Sequence, residues 1–183
     1  MRHYSKFFIG GEWVEAIGTG RFELVNPATE AVFATVILGT AADVDRAVDA
    51  ARAAFPAFSA TSKEERLDLL RAIVARLEAR EKDMADAITE EMGAPVSLKG
   101  QTGTALAAFR QAIVTLGGYD FETMMGDNII RREAIGVCGL ITAWNWPIQL
   151  LSTKLSSAFA AGCAVVVKPS EYTPLSTLVL AEI

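Results

Sequence analysis

Two polar clusters follow two apolar segments late in the sequence. An apolar run over 137–141 is followed by WNWP, which contains Asn145, and a second run over 163–167 is followed by KPSE, which ends at Glu171. The Asn145 amide can donate a hydrogen bond to an oxyanion, and donors of this kind accelerate reactions in dry sites. The flanking Trp144 and Trp146 are expected to hold the amide and to exclude water from it. The Glu171 carboxylate can accept hydrogen bonds from the hydroxyls of a sugar. These side chains are the first candidates for chemistry.

The elements around these clusters predict where they lie. Both apolar runs are short, partly β-branched and without polar alternation, as in strands buried on both faces of a parallel sheet. The segment between them has helical periodicity, ends at Gly162 and is long enough for a crossover helix. The sequence therefore predicts a βαβ unit. Ligands of open parallel sheets bind beyond the carboxyl ends of the strands, where both clusters fall.

Each candidate also has a purely structural interpretation. Asn145 could cap the helix that begins near Pro147. Lys154, in that helix, could be a lysine on a solvated face or, if buried, a group whose pKa shifts enough for proton transfer. Lys168 and Glu171 could form a surface ion pair of about 0–1 kcal/mol. The residues alone leave these alternatives open.

The joint pattern of TAWNWP, Lys154 and AGCAVVVKPSEYTPLS resembles the cofactor-binding core of the NAD(P)-dependent aldehyde dehydrogenase superfamily. The segments FFIGGEWV and NPATEAVFATV are similar to that family's N-terminal strands, so the likeness covers nearly the whole chain. The resemblance implies that Asn145 donates to the oxygen of thiohemiacetal and thioester intermediates. It also implies that Lys154 serves a proton or charge relay near the general base. The family's nucleophilic cysteine and general-base glutamate lie in a later part that this sequence does not contain.

The resemblance further implies a nucleotide site at the strand ends. Glu171 would accept from both ribose hydroxyls of the adenosine, and Lys168 would donate to the same sugar. Repulsion between Glu171 and a 2′-phosphate favours NAD, although Lys168 could attract that phosphate, so NADP stays possible. The predicted cofactor-binding residues are Ile141, Thr142, Ala143, Trp144, Lys168, Pro169, Ser170 and Glu171.

The rest of the sequence predicts strands and helices in alternation. Strands are expected over 7–14 and 22–25, joined as a hairpin through Gly18 and Gly20, and over 31–37. Helices are expected over 40–56, 62–92 and 103–116. The second of these helices starts with the capping box Ser62-x-x-Glu65 and ends at Gly93. A last helix is expected to start with Thr173 as its N-cap and Pro174 at its first helical position.

The segment 124–133 predicts a strand pair outside the main sheet. In the resembled family such an arm pairs with a neighbouring subunit, and an ordinary surface hairpin is an equal alternative. The predicted fold class is α/β: an incomplete, aldehyde-dehydrogenase-like, Rossmann-type cofactor-binding domain with an N-terminal β-hairpin and a projecting oligomerisation arm. The expected division is 1–118 for the N-terminal part of the cofactor-binding domain, 119–134 for the arm and 135–183 for a truncated first βαβ unit.

Composition excludes several other functions. The net charge of −5 argues against a nucleic-acid partner, since binding phosphates requires a basic surface. The sequence shows neither a signal peptide nor an apolar stretch that could span a membrane, so a cytoplasmic protein is expected. Cys138 and Cys163 fall in buried strands as inert thiols, and a single histidine, His3, gives no support for a metal site.

The function predicted from these observations is that of the N-terminal segment of an NAD-dependent aldehyde dehydrogenase. The whole enzyme would oxidise a small-molecule aldehyde to a carboxylic acid as a homodimer or homotetramer. The segment alone is predicted to be inactive, because the catalytic cysteine and glutamate are absent. Two alternatives remain open: a non-catalytic dinucleotide-binding or assembly module, and a related semialdehyde dehydrogenase.

Overall fold

The N-terminal strands form a small sheet and a separate hairpin. The computed structural model describes residues 1–95, 97 and 100–183. Its first strands are β1 (Arg2–Tyr4), β2 (Lys6–Ile9), β3 (Glu12–Glu15), β4 (Arg21–Val25) and β5 (Val32–Ile37). The sheet has the order β1-β5-β4, with β1 parallel and β4 antiparallel to β5, and β2 pairs with β3.

The predicted N-terminal hairpin is wrong in its pairing. Residues 7–14 do not form one strand, because the chain reverses at Gly10 and Gly11, whose φ angles are 63° and 86°. Two-residue hairpin turns of this kind need positive φ at both positions, which glycine adopts without a steric penalty. The segment that contains Gly18 and Gly20 instead leads into β4, which pairs with β5.

Four helices follow: α1 (Ala41–Ser59), α2 (Lys63–Ala79), α3 (Glu81–Met92) and α4 (Gly100–Gly117). Helix α1 begins after Thr40 as predicted, but it continues through Pro56 rather than ending there. A proline removes one hydrogen bond of the helix, and α1 tolerates that loss three residues before its end.

The helix predicted over 62–92 is two helices. The capping box of Ser62 and Glu65 and the left-handed Gly93 are confirmed, but the chain bends at Arg80, with φ −112° and ψ 21°. The Arg80 guanidinium pairs with Asp83 at 2.8 Å and with Glu182 at 2.7 Å. The bend therefore coincides with tertiary ion pairs, and neither glycine nor proline marks it in the sequence.

The predicted strand pair after α4 is confirmed. Strands β6 (Glu122–Met125) and β7 (Asn128–Arg131) pair with each other antiparallel. Gly126, with φ 62°, turns the chain between them. The pair carries large exposed apolar side chains on Met124, Met125 and Ile129.

The predicted βαβ unit is also confirmed. Strand β8 (Val137–Ile141), helix α5 (Pro147–Ala161) and strand β9 (Ala164–Lys168) follow in order, and β8 runs parallel to β9. Helix α6 (Leu175–Ala181) has Pro174 as its N-cap, so the prediction of Thr173 in that role is wrong. The Thr173 hydroxyl donates to the Trp144 carbonyl oxygen instead, at 3.1 Å.

The core positions the βαβ unit. Helices α1 and α5 both pack against β8 and β9, and α2 and α4 pack against α5. Each large side chain buried there contributes about 1.5–3 kcal/mol. Among the largest are Phe109, Leu70, Leu77, Met84, Ile88, Ile148 and Leu151. Among the helices in the part of the chain that the structure describes, none is long and apolar enough to cross a membrane.

Candidate functional site

The carboxyl ends of β8 and β9 meet at one edge of the pair. Ile141 lies opposite Lys168 in the parallel register, and the Thr142 amide extends the pairing by donating to the Lys168 carbonyl at 3.3 Å. The bond from Thr173 to the Trp144 carbonyl then ties the two following loops together. We call the surface formed by residues 142–146 and 168–173 the strand-end crevice. The two polar clusters therefore lie on the same side of the molecule.

Asn145 lies in the first of these loops and is exposed. Helix α5 has Trp146 as its N-cap, without a capping hydrogen bond from a side chain, so Asn145 does not cap this helix. Trp144 and Trp146 are 57% and 43% exposed, which corrects the expectation that they shield Asn145 from water within this chain. Asn145 thus lies exposed in the loop between β8 and α5 and is not the N-cap of that helix.

Lys154 lies on the exposed face of α5. Its ammonium donates to the Leu150 carbonyl, one turn earlier in the same helix, at 3.2 Å. Ile148, Leu151 and Leu155 form the buried stripe beside it. These 183 residues alone therefore do not bury Lys154.

Lys168 and Glu171 form an ion pair, which was one of the two interpretations that the sequence allowed. The Nζ–Oε2 distance is 3.1 Å, and the side chains are 61% and 38% exposed. A hydrogen bond from the backbone N–H of Glu171 itself and the bond from Lys168 lower the pKa of the Glu171 carboxyl below its ordinary value. Glu171 is therefore ionised at neutral pH and keeps acceptor positions that solvent or a ligand can reach.

The other predicted cofactor-binding residues differ in how far they are exposed at the crevice. Ile141 is 73% exposed and Ala143 is exposed, whereas Thr142 is 6% exposed. Thr142 Oγ1 is buried and has no hydrogen-bond partner among the residues that the structure describes. Ser170 is buried, and its hydroxyl accepts from the Tyr172 amide at 3.3 Å, while Pro169 is half-buried. Ser170 therefore shapes its own loop.

Two contacts behind the crevice were missed in the sequence. The Tyr172 ring packs edge-on against Phe22 of β4, with 5.1 Å between the ring centroids. Glu91, in the last turn of α3, is buried and accepts hydrogen bonds from the backbone of α6. A carboxylate in the last turn of a helix interacts unfavourably with the helix dipole. The position of Glu91 in the sequence could therefore have indicated that a tertiary partner stabilises it.

The cysteines have no part in this site. Cys138 is half-buried in β8, Cys163 is buried just before β9, and both are free thiols. Burial is the main cause that raises the pKa of the Cys138 thiol above its ordinary value. A thiol with a raised pKa carries less of the nucleophilic thiolate.

Comparison with known proteins identifies a family. Residues 13–183 match the sequence model described as the aldehyde dehydrogenase family. A 3-succinoylsemialdehyde-pyridine dehydrogenase from Pseudomonas sp is 46% identical over 186 residues, which cover 100% of this chain and 39% of the relative.

Solved structures agree with that match. A mutant of aldehyde dehydrogenase C from Pseudomonas syringae, in complex with NAD+ and octanal, is 47% identical with a TM-score of 0.95, covering 97% of this chain and 37% of that one. A Mycobacterium tuberculosis aldehyde dehydrogenase complexed with NAD+ is 33% identical with a TM-score of 0.93, covering 99% and 39%. The chain thus spans less than half the length of these relatives.

Proposed function

Because the chain belongs to the aldehyde dehydrogenase family, we propose that it is the N-terminal part of an enzyme that oxidises an aldehyde, with water, to a carboxylic acid. The observation that carries the proposal is the strand-end crevice, where the parallel pairing of β8 and β9 brings Asn145 and Glu171 to one edge. The nucleophilic cysteine and the general base would come from the remainder of the enzyme, which these 183 residues do not include.

NAD is the cofactor that the crevice fits best. When bound, NAD supplies the acceptor for the hydride that leaves the aldehyde carbon. The ionised Glu171 carboxylate offers two acceptor oxygens to a ribose diol, and Lys168 Nζ, 3.1 Å away, offers a donor to the same sugar. A 2′-phosphate would stand next to the Glu171 charge, so NAD is favoured over NADP. Two relatives crystallised with NAD+ support this assignment.

Thr142 gives independent support for a ligand at this edge. Its buried Oγ1 has no hydrogen-bond partner among the described residues, and an unpaired buried hydroxyl costs about 1–3 kcal/mol. Ile141, Ala143 and Trp144 flank it with exposed surface. In this proposal the backbone of 141–144 and the loop 168–171 form the two walls of the nucleotide site.

Asn145 would donate its side-chain amide to the oxygen that becomes negatively charged after the cysteine attacks the aldehyde. Such a donor is effective only where water is excluded. Trp144 and Trp146 are both exposed in this chain, so the proposal requires the remainder of the enzyme to cover them. The same covering would enclose the exposed Lys154, which is proposed for a proton or charge relay near the general base.

The division of the chain follows the same proposal. Residues 1–118 would form the N-terminal part of the cofactor-binding domain, 119–134 an oligomerisation arm, and 135–183 the first βαβ unit of the cofactor-binding sheet. The strands β6 and β7 pair only with each other in the part of the chain that the structure describes, and they expose Met124 and Ile129. Pairing with a neighbouring subunit of a homodimer or homotetramer would cover them. A cytoplasmic enzyme remains the expectation.

A semialdehyde is a second candidate for the substrate. One relative is named a 3-succinoylsemialdehyde-pyridine dehydrogenase, whereas a solved relative holds octanal. Values of kcat/KM for octanal and for a carboxylate-bearing semialdehyde, measured on the complete enzyme, separate the two. A preference of at least tenfold for either compound would assign the class.

The proposed activity is tested by the absorbance of NADH formed from an aldehyde and NAD. We expect the complete enzyme to be active and Asn145→Ala to lose about a hundred- to a thousandfold in kcat. Gln111→Ala, which removes an exposed amide from α4, is the matched control and should keep wild-type activity. We expect the 183-residue chain alone to form no NADH above a blank. An inactive complete enzyme, or an unchanged Asn145→Ala variant, would overturn the proposal.

A further inference from the structure

A buried carboxylate holds the N-terminus of α6. Glu91 is 4% exposed, and its two oxygens accept hydrogen bonds from the backbone of α6. Oε2 accepts from the Leu175 amide, and Oε1 accepts from the Ser176 amide at 3.1 Å. These are the first two residues of α6, whose N-cap, Pro174, offers no capping side chain. Glu91 therefore caps a helix that lies more than eighty positions later in the sequence.

This arrangement opposes two ordinary preferences of a carboxylate. Glu91 stands in the last turn of α3, where the helix dipole disfavours negative charge. Burial raises the pKa of the Glu91 carboxyl to about 7, even though hydrogen bonds from Ser176 and Leu175 favour the charged form. The two N–H groups of Leu175 and Ser176 and the positive end of the α6 dipole favour the charged form, but burial has the larger effect on the pKa.

The helix held in this way is the one that ends the loop 169–174. That loop begins at the end of β9 and carries Glu171. Two side chains of the loop hold it in place: Thr173 Oγ1 donates to the Trp144 carbonyl, and the Tyr172 ring packs against Phe22. Glu91 of α3 holds the start of α6 next to the loop, so three separate parts of the fold hold the loop and its junction with α6.

We propose that Glu91 is a positioning residue that holds the loop 169–174 in the conformation that binds the nucleotide. The inference rests on the proposed function, because it assigns NAD to the crevice that this loop bounds. Glu91 acts through the backbone of Leu175 and Ser176 and does not touch the ligand. Substituting alanine leaves two buried N–H groups unpaired, which lets α6 fray and the loop leave its binding conformation.

The expected effect is on the affinity for NAD. When only a fraction of molecules has the competent loop, the apparent Kd rises in inverse proportion to that fraction. A lost helix cap corresponds to a factor of roughly five to ten. We therefore expect Glu91→Ala to raise the Kd for NAD by that factor in the complete enzyme, with the KM for the aldehyde unchanged. Glu91→Gln keeps one carbonyl oxygen at the same distance from the backbone. Its Kd for NAD should therefore lie between those of the wild type and Glu91→Ala.

The experiment measures NAD affinity by calorimetry on the complete enzyme, together with hydrogen–deuterium exchange over 170–178 and the thermal midpoint. Glu90→Ala is the matched control: it removes the neighbouring carboxylate, which pairs with Arg2 of β1 and not with α6. We expect faster exchange over 170–178 and weaker NAD binding for Glu91→Ala, and neither for Glu90→Ala.

The outcomes separate the positioning role from a structural one. A lowered thermal midpoint with wild-type NAD affinity in Glu91→Ala would overturn the inference, because it would show that Glu91 only stabilises the fold. If Glu91→Ala does not fold, Glu91→Gln decides, and unchanged affinity and exchange would overturn it. A wild-type enzyme that binds no NAD would refute the proposed function, and the exchange over 170–178 would still show whether Glu91 holds the loop.

Discussion

At the scale of single residues, the charge of Glu171 is the property of the crevice that bears most directly on cofactor binding. The pKa of the Glu171 carboxyl lies below its ordinary value, which favours the charged form that a ribose diol needs. Its partner Lys168 lies 3.1 Å away, so the surface ion pair and the ribose clamp describe the same two side chains. An exposed pair alone contributes only about 0–1 kcal/mol, so a large effect of Glu171 on cofactor binding would indicate the clamp.

Glu171→Gln tests the preference for NAD. Removing the negative charge should weaken NAD binding several-fold and improve NADP binding, because a 2′-phosphate no longer meets a carboxylate. Affinities for both cofactors, measured on the complete enzyme, give the ratio. Glu182→Gln, an exposed glutamate that pairs with Arg80, is the control and should leave the ratio unchanged. A Glu171→Gln variant with the wild-type ratio would argue against the ribose contact.

Asp43 is a second residue whose environment has a measurable consequence. Its carboxylate accepts from the amides of Ile17 and Gly18 at 2.8 and 3.0 Å and from the Thr40 amide at 2.9 Å. These hydrogen bonds hold the pKa of Asp43 at about 2, below its ordinary 3.8. They join the segment before β4 to the start of α1.

Asp43→Asn should therefore lower stability in a pH-dependent manner. Because the folded pKa is depressed, the contribution of Asp43 is complete above pH 3.8 and is lost as the pH falls toward about 2. Denaturation midpoints should differ between wild type and Asp43→Asn at pH 7, and the difference should shrink below pH 4. A difference that stays constant over this range would contradict the role of the ionised carboxylate.

At the scale of elements, the turn between α5 and β9 fixes how the crossover returns to the sheet. Gly162 ends α5 with φ 81°, and a Cβ built there would lie 2.9 Å from Arg66 Nη1. Arg66 is itself 8% exposed, and it donates to the Ala160 carbonyl at 3.0 Å. The turn thus lacks room for a side chain, and it needs a backbone conformation that glycine adopts freely.

Gly162→Ala should destabilise the protein by about 1–2 kcal/mol, from backbone strain alone. Gly103→Ala is the matched control, because that glycine lies inside α4 and a Cβ there meets nothing within 4 Å. Alanine at that position should be neutral or stabilising, by about 0.5–1 kcal/mol. Chemical denaturation measures both, and equal effects at the two glycines would refute the argument.

The elements that the sequence predicted correctly are those with local signals. The apolar runs around 137–141 and 163–167, the capping box at Ser62 and the left-handed Gly93 were all visible as composition or spacing. The bend at Arg80 was missed because tertiary ion pairs accompany it and no breaking residue marks it. The hairpin at Gly10-Gly11 was missed although the dipeptide signals a turn.

The site shows the same division between local and tertiary information. Residue types and strand ends placed Asn145 and Glu171 at one crevice, and the structure brings them there. The tertiary contacts of Glu91 and Thr173 were missed because their partners, the α6 backbone and the Trp144 carbonyl, lie 84 and 29 positions away. The expected shielding by Trp144 and Trp146 failed because nothing in this chain covers them among the residues that the structure describes.

At the scale of the whole molecule, the strands β6 and β7 and the crevice both expose large apolar side chains. Met124, Met125 and Ile129 are 61–67% exposed on β6 and β7, and Trp144 is 57% exposed at the crevice. Large apolar side chains exposed together on a short element are typical of an interaction site. In the proposed enzyme, the arm would meet a neighbouring subunit and the crevice would meet the remainder of the same chain.

The arm predicts an effect on assembly. If the arm forms the proposed subunit contact, Ile129→Asp should shift the complete enzyme toward smaller species, because a charge would be buried there without a partner. Light scattering after size-exclusion chromatography measures the mass. Ile17→Asp, at an exposed position outside the arm, should leave the mass unchanged. An Ile129→Asp enzyme with wild-type mass would favour the surface-hairpin alternative.

The most direct measurement is a crystal structure of the complete enzyme with NAD bound. The central claim is that the ends of two parallel strands form one nucleotide site. We predict that both Glu171 carboxylate oxygens lie within about 3.2 Å of the adenosine ribose hydroxyls. We also predict that the backbone of 141–144 lines the opposite wall and that Asn145 faces the catalytic cysteine. An adenosine bound away from the loop 168–171 would contradict the account.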